Sequence, residues 1–125
     1  MSLLHAHLVF VTKYRRKLFT DTMLTFTETT MRAVCAELDA DLVEFNGETD
    51  HVHLLVAYPP TLAISVLAQR LKGRTAYTVR REFTGACVRA RMRGHLWSPS
   101  YFAVSCGGAP LSIIKQYIDG QARPL

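Results

Sequence analysis

The chain is poor in cysteine, and the few it has follow no recognisable spacing. It contains Cys35, Cys87 and Cys106, an odd number without a Cys-x-x-Cys pair. That spacing excludes a disulfide framework and a zinc knuckle. We therefore predict that the three thiols are small side chains in a reducing, cytoplasmic environment.

Long apolar runs, internal repeats and low-complexity stretches are also missing. No run approaches the roughly 20 apolar residues of a membrane-spanning helix, so we expect no membrane partner. Residues 1–10 lack the basic start of a signal peptide and carry two histidines. What remains is a chain of 125 residues, 49% hydrophobic, which predicts a single domain spanning residues 1–125.

Acidic residues are nearly absent from residues 70–93, where Glu82 is the only one. The whole chain carries a net charge of +5. The planar guanidinium group of arginine can bind two phosphate oxygens at once. A basic, aromatic turn after the first predicted strand adds to this charge. The candidate DNA-binding residues are Lys13, Tyr14, Arg15, Arg16, Arg70, Lys72, Arg74, Arg80, Arg81, Arg89, Arg91 and Arg93. The alternative is a solvated helix face followed by a basic loop.

The periodicity of apolar residues predicts four strands and three helices. Asp21 and Thr61 are the candidate caps of the first two helices, and Pro99 indicates an edge position or a bulge in the fourth strand. In chain order the predicted elements are strand 5–12, helix 21–39, strand 42–45, strand 51–58, helix 62–83, strand 96–105 and helix 110–119. A basic connection, residues 85–94, precedes the fourth strand. The first six elements predict an α+β, ferredoxin-like βαββαβ sheet with both helices on one face, as in RNA-recognition modules.

His51 and His53 are separated by one residue in the third predicted strand. Alternate residues of a strand point to the same face and lie about 6.7 Å apart, so two imidazoles could converge on one divalent ion. Two ligands would leave open positions, as catalysis needs, and a third protein ligand is expected. The alternative is a pair of histidines that only form hydrogen bonds on a half-exposed sheet.

Any of five tyrosines could act as a nucleophile, and composition does not choose among them. Tyr117 lies on the final predicted helix, beside the apolar stripe of Leu111, Ile114 and Ile118. Gln121 is four residues further along, so both side chains could reach one site, unless Gly120 ends the helix before it. Attack by Tyr117 on a phosphate would give a phosphotyrosine link that conserves the bond energy. The alternative is a core tyrosine at helical spacing.

Several motifs match a known family in order and spacing. They are Val11-Thr12-Lys13-Tyr14-Arg15-Arg16, Asp50-His51-Val52-His53-Leu54-Leu55-Val56, Leu71-Lys72-Gly73, Leu96-Trp97-Ser98-Pro99-Ser100-Tyr101-Phe102 and Ile114-Lys115-Gln116-Tyr117-Ile118. With these motifs the chain resembles, nearly end to end, the small single-tyrosine HUH transposases of insertion sequences, the IS two-hundred-like group.

The resemblance implies a prokaryotic homodimer that binds hairpins near the ends of a mobile element and cuts single-stranded DNA beside them. His51 and His53 would hold Mg²⁺ or Mn²⁺, with Gln121 as third ligand. Tyr117 would attack the scissile phosphate, giving a 5′-phosphotyrosine and a free 3′-OH. The tyrosine helix, residues 107–125, would follow a core of residues 1–106 and could complete the partner subunit's site. Gly107 and Gly108 suit such a hinge.

Three alternatives stay open at this point. A catalytically silent nucleic-acid-binding module would explain the basic residues, and would use Tyr14, Trp97, Tyr101 and Phe102 as stacking platforms. A metal phosphohydrolase that activates water would not need Tyr117. A domesticated relative acting on chromosomal repeats would share the chemistry and differ in its DNA target. His5 and His7 form a second His-x-His pair, and we expect His7 to be a strand residue near the sheet, not a ligand.

Overall fold

The computed structural model describes residues 3–92 and 94–107, which form four strands and three α-helices. In chain order these are β1 (Leu4–Val11), α1 (Asp21–Glu37), β2 (Asp41–Gly47), β3 (His51–Tyr58), α2 (Ile64–Glu82), α3 (Thr84–Arg89) and β4 (Phe102–Gly107), with a short 3-10 turn, Lys13–Arg15, after β1. Arg93, Tyr117, Gln121 and the predicted helix 110–119 lie outside the described residues. Across the two described ranges, no helix is both long and apolar enough to cross a bilayer.

The four strands form one antiparallel sheet in the order β2-β3-β1-β4. The two central strands, β1 and β3, pair along their whole length, with Val9 opposite His53 and Val11 opposite His51. Each central strand is followed by a helix and then by an edge strand. This order confirms the predicted α+β, ferredoxin-like βαββαβ sheet.

The core lies between one face of the sheet and the two long helices. Alternate residues of the central strands point into it, and Leu8, Phe10 and Leu54 are completely or almost completely buried there. Met31 of α1 and Leu71 of α2 pack on the same cluster. Because the helices cover this face, the histidines of β3 project from the opposite, open face.

The predicted fourth strand is wrong at its start, since the structure begins β4 at Phe102 and not at residue 96. Leu96 and Trp97 are buried in the core instead, and Trp97 makes only an isolated bridge to Thr12. The ammonium of Lys72 donates to the carbonyl oxygen of Ser98 at 2.7 Å, so that carbonyl is occupied by a side chain and not by a neighbouring strand. Apart from this bridge, pairing with β1 starts only at Phe102.

The predicted helix limits also need correction. The first helix is capped by Thr20, whose hydroxyl accepts from the Met23 amide at 3.2 Å, and not by Asp21. The second begins at Ile64, after an Ala63 cap that forms no side-chain hydrogen bond, so Thr61 is not its cap. The predicted basic connection, residues 85–94, contains most of α3, which forms because Cys87 is buried on its inner side.

Candidate active site

His51 and His53 lie side by side on the open face of β3. Their ring centroids are 4.8 Å apart and the ring planes are inclined at 82°. The residues between and beyond them, Val52 and Leu54, point into the core. The two-residue spacing thus brings two imidazoles together, as the sequence predicts, and the central position of β3 holds their backbone between two strands.

Asp50, immediately before β3, forms a hydrogen bond with His51. The distance between Oδ1 of Asp50 and Nδ1 of His51 is 2.7 Å, and Nε of Arg15 lies 3.5 Å from the other carboxylate oxygen. Partial burial alone would raise the pKa of Asp50, but His51 and Arg15 together lower it below its usual value. The carboxylate is therefore ionised at neutral pH and can accept a hydrogen bond from Nδ1–H of His51.

His53 stacks on a third histidine, His7 of β1. Their ring centroids are 5.7 Å apart and their planes differ by 12°. His7 is 2% exposed, and among the described residues neither of its nitrogens has a hydrogen-bond partner. Burial lowers the pKa of both imidazoles; for His53 the neighbouring imidazoles of His51 and His7 lower it further, and Glu48 opposes them. Both rings are therefore neutral at physiological pH, the form in which imidazole binds metals.

The chemistry of this cluster fits a divalent cation that accepts nitrogen ligands. Nδ1 of His53 is buried without a hydrogen-bond partner in the described chain, and Nε2 is the ring nitrogen of His51 that Asp50 does not contact. Within residues 3–92 and 94–107, no three histidine, cysteine or carboxylate side chains form a group that could hold an ion. The cluster could therefore offer two ligands, and a third would have to come from elsewhere.

A band of basic side chains runs from the 3-10 turn to α2, and we call it the basic band. At one end, a cleft of about 160 Å³ is lined by Lys13, Tyr14, Arg16 and Arg91. It adjoins, through Gly94 and His95, a larger cleft of about 430 Å³ beside α2. The wall of the larger cleft includes Gln69, Lys72, Arg80, Trp97 and Tyr101. The band thus brings together candidate DNA-binding residues from three separate segments of the chain.

The band begins close to the histidines. The amide of Thr12, the residue before the 3-10 turn, donates to the Asp50 carbonyl oxygen at 2.9 Å, and the amide of Lys13 donates to that of Leu96 at 3.0 Å. Tyr14 adopts a left-handed backbone conformation, with φ 60°, and is 75% exposed. A non-glycine residue pays a conformational cost there, and such residues concentrate at functional sites. The amino group of Lys13 lies 5.4 Å from the centre of the Tyr14 ring.

Not every predicted phosphate-binding side chain is available. Arg70 and Arg74, in the middle of α2, lie 3.7 Å and 2.6 Å from the carboxylate of Glu37. Lys72 is half-buried, and its ammonium donates to two backbone carbonyls of residues 98 and 99. Arg81 and Arg89 are exposed, but neither lines the two clefts of the band. These charges contribute to the field of the surface more than to a defined contact.

Sequence reasoning missed two contacts at this site. Asp50 directly precedes His51, which is the one signal that could have identified it as a hydrogen-bond partner. The stack between His7 and His53 follows from the pairing register of β1 and β3, which no local pattern gives. His7 lies where the sequence predicted, near the sheet, and it contacts a candidate ligand through its ring.

A family model described as "Transposase IS200 like" matches residues 1–121. The chain belongs to the IS200-like transposase family. This IS200-like transposase is 28% identical over 120 residues to the ISDra2 transposase TnpA of Deinococcus radiodurans, covering 94% of this chain and 84% of that protein. It is also 28% identical over 115 residues to the transposase for insertion sequence element IS200 of Salmonella typhimurium, covering 92% of this chain and 74% of that protein.

Solved structures resemble this IS200-like transposase over nearly its whole length. A crystal structure of a candidate transposase from Deinococcus radiodurans R1 superposes with a TM-score of 0.77 and 28% identity, covering 97% of this chain and 92% of the other. A REP-associated tyrosine transposase bound to a REP hairpin superposes with a TM-score of 0.63 and 12% identity, covering 95% of this chain and 64% of the other. The second likeness concerns the fold alone.

Proposed function

We propose that this IS200-like transposase cuts and rejoins single-stranded DNA beside hairpins at the ends of a mobile element. The observation that carries the proposal is the pair His51 and His53, adjacent on the open face of a central strand with nitrogens free to bind a metal. The basic band begins at the same end of the sheet, so a phosphate backbone bound along it would pass near the two imidazoles.

The proposed metal ligands are His51, His53 and Gln121, and the proposed ion is Mg²⁺ or Mn²⁺. When bound, such an ion would polarise the scissile phosphate and neutralise charge that develops on it. Asp50 keeps the proton of His51 on Nδ1, and burial keeps His53 neutral. His53 therefore presents a lone pair without having to lose a proton first.

Tyr117 is the proposed nucleophile, on a C-terminal helix that follows the core of residues 1–106. Its phenol oxygen would form a bond to phosphorus while the bond from phosphorus to the 3′ oxygen breaks. The phenol proton leaves, and the 3′ oxygen takes up a proton and departs as a 3′-OH. The 5′-phosphotyrosine that remains can be attacked by another 3′-OH, which rejoins DNA without an external energy source.

The partners follow from the same proposal. The fold neighbour bound to a REP hairpin supports a hairpin as the DNA element recognised. We propose a homodimer, in which the tyrosine helix of one subunit could complete the site of the other. The candidate DNA-binding residues of the basic band would contact the phosphate backbone, and the remaining arginines would increase the encounter rate.

The test is a denaturing gel of labelled single-stranded oligonucleotides taken from both flanks of the protein's own gene. We expect cleavage with Mn²⁺, none with EDTA, and losses of at least about 100-fold in His51→Ala and His53→Ala, because each removes a ligand. His5→Ala is the matched control, since His5 lies opposite Ala57 at the other end of the strand pair. Normal cleavage by both ligand variants, with loss only in His7→Ala, would contradict the assignment.

A native gel of the same mixtures separates the remaining outcomes. A shifted band without cleavage by the wild-type protein would favour a silent nucleic-acid-binding module. The exposed aromatic side chains of Tyr14, Tyr101 and Phe102 suit such a module as well, whereas Trp97 is buried in the core and could not stack on a base.

A further inference from the structure

Asp50 lies in the candidate site but has no part in the proposed reaction itself. We propose that Asp50 is a positioning residue: it fixes the tautomer and ring orientation of His51, and Arg15 in turn fixes the carboxylate. The inference rests on the proposed function only in that His51 is a metal ligand. The distances that carry it are 2.7 Å from Asp50 Oδ1 to His51 Nδ1 and 3.5 Å from Asp50 Oδ2 to Arg15 Nε.

The side chain and the backbone of Asp50 have different hydrogen-bond partners. The Asp50 carbonyl oxygen accepts from the Thr12 amide at 2.9 Å and from the Thr12 hydroxyl at 3.2 Å. These bonds hold the start of β3 against the end of β1 whatever side chain residue 50 carries. Removing the carboxylate should therefore leave the backbone in place and change only the contacts of His51 and Arg15.

The hydrogen bond has a defined chemical consequence for His51. A carboxylate accepts only, so the imidazole nitrogen facing it must carry the proton. The neutral ring is then held as the Nδ1–H tautomer, and its Nε2 lone pair faces away from Asp50. Carboxylates that accept from a ligating histidine fix the ring and increase its basicity, and their loss typically weakens metal binding about 10–100-fold.

Arg15 gives the carboxylate its own orientation and connects it to the basic band. Its side chain is 70% exposed, against 20% for Asp50 and 14% for His51, so the three groups form a line from solvent to the candidate ligand. Arg15 has a φ of 51°, next to Tyr14 at 60°, so its guanidinium reaches Asp50 from a segment of unusual left-handed backbone. The ion pair adds little stability at this exposure, and its effect is on geometry.

The decisive measurement is the tautomer of His51 in the metal-free protein, read from ring nitrogen shifts by NMR at an alkaline pH where imidazole is neutral. We expect the Nδ1–H form in the wild type and a shift toward Nε2–H in Asp50→Ala. Asp50→Asn keeps the size of the side chain, but its amide N–H can donate to Nδ1, so this variant should also shift the ring toward Nε2–H. Asp41→Asn is the charge-matched control, because Asp41 pairs with Ala57 at the opposite end of β3. An identical tautomer in the wild type and Asp50→Ala would overturn the inference.

Calorimetric titration with Mn²⁺ alone then tests the consequence for the site. We expect Asp50→Ala to bind the ion about 10–100-fold more weakly than the wild type or Asp41→Asn, and Arg15→Ala to show a smaller loss. Equal affinity in the wild type and Asp50→Ala would also overturn the inference. If the wild type binds no Mn²⁺, the metal part of the proposed function fails, and the tautomer alone decides whether Asp50 positions His51.

Discussion

At the scale of single residues, the candidate metal ligands could be predicted from the sequence, but the residues that contact those ligands could not. His51 and His53 can be identified because strand periodicity fixes which face a side chain takes. The roles of Asp50 and His7 depend on rotamers and on the register between β1 and β3, which are set by packing across the whole sheet. Tyr117 and Gln121 lie outside the described residues, so their roles stay predictions.

Cys35 gives a residue-scale prediction about pH. Its thiol is 1% exposed, and burial, followed by the charge of Asp41, raises its pKa from 9.0 to about 11. The pKa of Cys35 is higher in the folded protein than in the unfolded chain. The thiol therefore makes its full contribution to the free energy of unfolding below pH 9.0, and this contribution is lost as the pH rises through about 11. We expect the unfolding free energy to fall by up to about 3 kcal/mol more in the wild type than in Cys35→Ala over this range.

Urea unfolding at several alkaline pH values measures this difference. Tyrosine ionisation contributes equally to both proteins, so only the difference between the two curves matters. Parallel curves would show that Cys35 ionises as easily in the folded protein as in the unfolded chain.

At the scale of elements, the sequence predicted the regular strands and helices well, but it did not predict the structure of the irregular segments. β3 was predicted at residues 51–58, as observed, because a short apolar run there is bounded by turn signals on both sides. The segment from Leu96 to Tyr101 contains strand-forming residues, yet it contributes only the isolated bridge of Trp97 to the sheet. Tertiary contacts decide its structure: the Trp97 indole donates to the Thr75 hydroxyl at 2.9 Å, and Lys72 binds the carbonyls that follow. Sequence propensity cannot register such contacts.

Two glycines in different elements should respond in opposite directions to alanine. A Cβ at Gly73, within α2, meets nothing within 4 Å, so Gly73→Ala should stabilise the protein by about 0.5–1 kcal/mol through helix propensity. A Cβ at Gly47 would come within 2.5 Å of a Leu24 methyl and 3.2 Å of Val52, so Gly47→Ala should destabilise it by about 1–3 kcal/mol. Thermal or urea unfolding checks both.

The Gly73 variant also tests the larger cleft of the basic band. Gly73 lines that cleft, so added volume there should weaken DNA binding while stability rises. A stabilised Gly73→Ala protein with unchanged DNA affinity would show that the DNA does not enter this part of the band.

At the scale of the whole molecule, the order of elements was enough to predict the fold. Few compact folds are possible for a chain whose elements follow the order strand, helix, strand, strand, helix, strand. The observed strand order is that of the ferredoxin-like fold. The basic band could not be predicted in the same way. It joins residues from the 3-10 turn, from α2 and from the segment after α3, and only the folded chain shows that Arg70 and Arg74 face Glu37 instead.

The band makes a whole-molecule prediction about salt. Each phosphate contact contributes about 0.7–0.9 to the slope of log affinity against log salt concentration. We expect Arg16→Ala and Arg91→Ala each to flatten the slope by about this amount, and Arg70→Ala to have a smaller effect because of Glu37. Arg32→Ala is the control, since Arg32 on α1 binds Glu28 and the Leu42 carbonyl. Equal slopes for Arg16→Ala and the control would place the DNA elsewhere.

The central claim, strand transfer through Tyr117, is tested most directly by a search for the covalent adduct. The protein is mixed with Mn²⁺ and labelled single-stranded oligonucleotide from the flanks of its gene, then denatured, digested and analysed by mass spectrometry beside Tyr117→Phe. We expect a nucleotide linked to the Tyr117 peptide, and a mutant that still shifts the oligonucleotide in a native gel without forming the link. Cleavage with no adduct, or cleavage by Tyr117→Phe near the wild-type rate, would contradict the account and favour hydrolysis by water.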